Sequence, residues 1–149
     1  MRAGDVIFIK GTGILAEAIK LFDPGKYSHV CIAVSNTEIF EAQGFTKSRI
    51  TKMTYTDFDI IHTNMTIHEQ AKLKVLCQLL EGKPYDYIQD LGYILKDLFH
   101  TDESKFNNPN ELICSEAISL VLYLLDKLDI PHRNITPNKL AELMRKIKY

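Results

Sequence analysis

Three cysteines in 149 residues, Cys31, Cys77 and Cys114, cannot all pair, and a disulfide scaffold is therefore not expected. None sits in a CxxC pair or at ligand spacing from a histidine, so no metal site and no cofactor are expected. The charge is close to balanced, with 18 Lys and Arg against 19 Asp and Glu for a formal net charge of -1. Such a balance excludes a global field that favours nucleic acid or acidic lipid. Long apolar runs are missing too. The stretch Val6-Ile7-Phe8-Ile9 is too short for the core of a signal peptide, and nothing approaches a membrane span. The expected partners thus exclude nucleic acid and stable membrane insertion. The expected location is the cytoplasm as synthesised, and action outside the cell would require delivery by some carrier. There are no internal repeats and no low-complexity tracts.

What is present is ordinary for one globular domain spanning residues 1–149, with 46% hydrophobic and 25% charged residues. Residues 6–9 read as a short buried strand. Residues 14–22 read as a helix, with Ile14, Leu15, Ala18, Ile19 and Phe22 on one face and Asp23-Pro24-Gly25 as its stop. The β-branched run at 30–34 and the segment 38–42 flank Ser35-Asn36-Thr37, which predicts a hairpin, and 58–62 predicts a further strand. From Thr66 the period becomes helical. Thr66 and Glu69 form a capping box, and Leu73, Leu76, Cys77 and Leu80 make a stripe that ends at Gly82. A second helix is expected over 85–98, then a polar loop over 100–110. Cys114 opens an apolar helix reaching about Leu128. Thr136-Pro137 starts a last helix with Leu140, Leu143 and Ile147 inward and a solvated basic end at Met144-Arg145-Lys146-Ile147-Lys148. Strands early and helices late make an α+β domain.

Three residue types carry candidate chemistry. Cys114 lies where a loop enters a helix, and the free N–H groups and positive dipole end there favour a thiolate. The same N–H groups suit an oxyanion. The ordinary alternative is a small buried hydrophobe. His29 begins the strand Val30-Cys31-Ile32-Ala33-Val34, where an imidazole suits removal of a thiol proton, and Glu41 on the partner strand can orient the ring. Cys77 reads as core. Cys31 also reads as core, although the two-residue alternation places it on the face of His29. His62, His68, His100 and His132 are scattered among polar neighbours. Gly11-Thr12-Gly13 is a tight turn rather than a phosphate loop, because no Lys-Ser or Lys-Thr follows it.

The ordered set Gly4-Asp5-Val6-Ile7-Phe8, Tyr27-Ser28-His29-Val30, Glu41-Ala42, Gly82-Lys83-Pro84-Tyr85-Asp86-Tyr87 and Ile113-Cys114-Ser115-Glu116 resembles the circularly permuted, YiiX-like branch of the NlpC/P60 papain-fold hydrolases. The order histidine, glutamate, cysteine is that of the permuted branch. The resemblance implies a small antiparallel sheet packed against helices. It also implies a Cys114–His29–Glu41 triad that cleaves an amide or ester bond through a thioester, as on cell-wall peptides. It further implies that Tyr85, Ser115 and Tyr27 line the substrate or oxyanion site. Two other functions are compatible with such a chain: a lipid acyltransferase or acylhydrolase, and a non-catalytic binding module that retains the fold. The expected partner is a peptide or acyl substrate.

Overall fold

A computed structural model describes residues 1–11, 25–42, 47–82, 113–130 and 135–149. The helices expected over 14–22 and 85–98, the loop over 100–110 and residue Tyr85 lie outside these. Five strands form one antiparallel sheet: β1 (Val6–Ile9), β2 (His29–Ala33), β3 (Glu38–Glu41), β4 (Arg49–Lys52) and β5 (Phe58–Ile61). Their spatial order is β4-β3-β2-β1-β5, so the first strand lies between the second and the fifth. The run Val6 to Ile9 is apolar throughout because it lies inside the sheet, with both faces covered and all four residues buried. The predicted hairpin is present, β2 meeting β3 with Ile32 opposite Phe40 and Ala33 opposite Ile39.

Strand alternation sorts the apolar side chains into two clusters. Val6, Phe8, Val30, Ile32 and Phe40 belong to the larger cluster, with residues from all three described helices. Ile7, Ile9, Cys31, Ala33 and Ile39 form the smaller cluster, flanked by Met53, Tyr55, Phe58 and Ile60. The three helices are α1 (Ile67–Leu80), α2 (Ile113–Leu124) and α3 (Pro137–Lys146).

Helix α1 begins as its sequence predicts. The Thr66 side chain accepts from the Glu69 N–H, and the Glu69 carboxylate accepts from the Thr66 N–H at 2.7 Å. Leu73, Cys77 and Leu80 are buried along its inner face. Helix α3 has Thr136 as N-cap and Pro137 in its first turn. Its inner face is rotated from the expected one. Leu140, Ala141 and Met144 are fully buried, while Leu143 and Ile147 pack at the margin of the same cluster.

Helix α2 ends earlier than expected, at Leu124 rather than near Leu128. Asp126 has a φ of 55°. Its N–H bonds the Tyr123 carbonyl at 3.0 Å and the Lys127 N–H bonds the Leu122 carbonyl at 2.8 Å. This is a Schellman stop with aspartate in the left-handed position. Leu125 and Leu128 are nonetheless buried, which is why the apolar pattern continued past the end. Strand β4 was not anticipated. Its four residues carry Arg49 and Lys52 at either end, as suits a short edge strand.

Candidate functional site

Site geometry begins with the register of β2. The β2–β3 pairing, continued by one step, sets Glu41 opposite Cys31, so Glu41 meets His29 on the diagonal of the same face rather than directly across the ladder. A long side chain spans that diagonal. His29 Nε2 lies 3.0 Å from Glu41 Oε2. Glu41 is 1% exposed, and a buried carboxylate there requires partners for every lone pair. It has them. Arg49, paired with Glu41 across β3 and β4, donates to Oε1 from Nε at 2.9 Å and from a terminal nitrogen at 2.6 Å. The Tyr55 hydroxyl donates to Oε2 at 2.7 Å. The Tyr55 ring also stands 5.9 Å from the His29 ring, centroid to centroid.

Cys114 lies in the first turn of α2 and is half-buried. The His29 side chain and backbone groups of Val30 and Ser115 lie close enough to its sulfur to favour the thiolate. Since Glu41 engages Nε2, Nδ1 is the imidazole nitrogen left to exchange a proton with the thiol.

The electrostatics follow from these contacts. Burial opposes charge on His29, but the Cys114 thiolate and the Glu41 carboxylate outweigh it and raise the imidazole to about 9. Burial likewise pushes the Cys114 thiol up. The hydrogen bond and charge of His29, aided by the Val30 and Ser115 backbone, more than offset this and hold the thiol below its usual value. Glu41 is pulled down to about 2 against its own burial by His29, Tyr55 and Arg49. The opposed shifts favour the charged forms, thiolate and imidazolium, over the neutral pair.

The other thiols are different. Cys31 is fully buried, its sulfur 3.8 Å from the Ile7 carbonyl oxygen. Burial first, then the charges on Glu41 and Cys114, push its thiol far up. It sits beside the site without access to it. Cys77 is buried in the core, and burial pushes its thiol up to about 12.

Of the other expected lining residues, Tyr85 lies outside the described residues. Tyr27 does not offer its hydroxyl to a ligand. The side chain is 2% exposed, its ring packs on Phe8, and its hydroxyl donates to Asp59 at 2.6 Å and accepts from Arg145. A tyrosine just before the histidine has an apolar body that the core takes and a polar tip that finds partners there. The Ser115 side chain is also turned inward, donating to the Ile135 carbonyl at 2.5 Å, and only its backbone meets the Cys114 sulfur. Sequence reasoning missed Arg49 and Tyr55. The only signal for Arg49 was its alternation with Thr51 in a segment too short and too charged to read as a strand.

Among the described residues no group of three His, Cys, Asp or Glu side chains is arranged to hold a metal, and His62 instead pairs with Asp5 at 2.8 Å. No described helix is long and apolar enough to cross a membrane. No protein-family model and no curated protein matches the chain.

Proposed function

We propose that this chain is a cysteine hydrolase of the permuted papain-like type, cleaving an amide or ester bond with Cys114 as nucleophile. The observation that carries the reading is the His29–Glu41 hydrogen bond beside Cys114, with the thiol lowered and the imidazole raised by their mutual influence. A buried histidine paired with a core cysteine for structural reasons alone has no need of an ionised carboxylate behind it. Here that carboxylate is secured by two further donors, Arg49 and Tyr55.

In the proposed reaction the Cys114 thiolate attacks the carbonyl carbon. Negative charge on the carbonyl oxygen is met by N–H groups at the start of α2. The tetrahedral adduct collapses, the bond to the leaving nitrogen or oxygen breaks, and His29 imidazolium gives that atom its proton. Water then attacks the thioester as neutral His29 takes one of its protons. The carboxylic acid departs and the thiolate–imidazolium pair is restored. Glu41 holds the ring through both halves. The resemblance to the permuted NlpC/P60 branch favours peptide amides, cell-wall peptides first.

Intact-mass analysis after brief exposure to short peptides and activated acyl esters tests this. A hydroxylamine-labile acyl adduct is expected on wild type and absent from Cys114→Ala. It should form at least about 100-fold more slowly in His29→Ala, and normally in Cys77→Ala. Unchanged acylation in Cys114→Ala would contradict the reading.

A further inference from the structure

The start of β2 is held by the last helix. Asn138, in the first turn of α3, bonds both backbone groups of Tyr27: its Oδ1 accepts from the Tyr27 N–H at 2.9 Å and its Nδ2 donates to the Tyr27 carbonyl at 3.0 Å. A side-chain amide used in this way imitates a neighbouring strand, satisfying one donor and one acceptor together. Gly25 lies against the same amide so closely that an added Cβ would stand 2.3 Å from Asn138 Cγ. Ser28 is fixed independently, its N–H bonded to the Ile9 carbonyl at 2.9 Å and its Oγ accepting from the Gly11 N–H at 2.9 Å. His29 follows directly. It pairs with Ile9 of β1, and the path of the chain into it is held two residues upstream by a residue 109 positions after it.

We infer that Asn138 is a positioning residue for His29: by clamping Tyr27 it aims the imidazole at Cys114. This rests on the reading of Cys114 and His29 as a reactive pair. Side-chain anchors on Tyr27 cannot substitute, because Asp59 and Arg145 hold its hydroxyl and ring and not its backbone. Without the amide, the Tyr27 peptide can rotate about φ and ψ, and an ångström of drift at His29 weakens its hydrogen bond to sulfur. The thiol then loses the partner that lowers it.

The test is iodoacetamide labelling of Cys114 against pH, read by peptide mass spectrometry, in wild type, Asn138→Ala, Asn138→Asp, Gly25→Ala and Leu140→Val. Asn138→Asp keeps the acceptor but sets a carboxylate against the Tyr27 carbonyl. Gly25→Ala displaces the same amide from the other side. Leu140→Val weakens α3 packing without touching Tyr27. At a pH below the wild-type midpoint, labelling is expected to fall about tenfold in the first three variants, since there a one-unit rise in thiol pKa makes the thiolate tenfold scarcer. Leu140→Val is expected to lower the melting temperature and leave the labelling profile in place. If Asn138→Ala fails to fold, the Asp and Gly25→Ala profiles give the answer. Fast low-pH labelling retained in the folded Asn138 and Gly25 variants would overturn the clamp alone. A wild-type Cys114 labelling no faster than Cys31 at pH 6.5 would overturn the reactive pair, and the clamp with it.

Discussion

Glu41 is the residue on which the site's electrostatics turn. Its carboxyl falls from 4.5 to about 2, so its contribution to stability is present above pH 4.5 and lost as pH falls through about 2. At 1.36 kcal/mol per unit that contribution is about 3 kcal/mol. His29 has the opposite sign. Raised from 6.5 to about 9, it stabilises fully below pH 6.5 and ceases to do so as pH rises through 9. Glu41→Gln is expected to lower the His29 midpoint by about one unit in an NMR titration of the ring. It should also flatten the loss of denaturant stability between pH 4.5 and 2.5. An unmoved His29 midpoint would mean that the carboxylate does not govern the ring. The meeting of His29 with Glu41 and the place of Cys114 at a helix start were legible in the sequence because strand alternation and helix starts are local features. Arg49 and Tyr55 were not, since what makes them matter is a buried carboxylate they reach only after β3 and β4 pair. The Tyr27 and Ser115 side chains turn inward for the converse reason: nearness in sequence to His29 or Cys114 says nothing about which way a side chain turns.

Among the elements, those with chemical punctuation were read correctly. The Thr66–Glu69 capping box and the Thr136-Pro137 start set the beginnings of α1 and α3, and Ser35-Asn36-Thr37 marked the hairpin. The end of α2 was overrun because its terminator is Asp126, where the left-handed conformation ordinarily calls for glycine. A left-handed L-residue costs about 1 kcal/mol or more. Asp126→Gly is therefore expected to raise the unfolding free energy by about 1 kcal/mol in urea titration, with Cys114 labelling unchanged. A loss of stability would show that the aspartate side chain holds the turn in some other way. Strand β4 escaped notice because four residues with charged ends provide too little pattern; pairing with β3 makes them a strand.

Across the whole molecule, the candidate site joins residues that are far apart in sequence: a sheet from the first half carries His29 and Glu41, and a helix from the second carries Cys114. Strand order β4-β3-β2-β1-β5 places β2 at the centre, where Ile32 and Ala33 pair with β3 and His29, at the start of the strand, pairs with Ile9 of β1. That order was not legible, because which strands neighbour one another depends on tertiary pairing that no local pattern records. The hairpin alone fixed β2 beside β3. A hydrolase of the proposed kind requires Cys114 to be a thiolate because of His29. The most direct measurement is the pH dependence of iodoacetamide alkylation at all three cysteines, in wild type and His29→Ala. Cys114 alone is expected to react quickly below pH 7 in wild type and to lose that advantage in the variant, with Cys31 and Cys77 silent until the protein unfolds. If Cys114 instead titrates near the free-thiol value of about 8.5 in both proteins, the thiolate–imidazolium pair does not form and the hydrolase reading is contradicted.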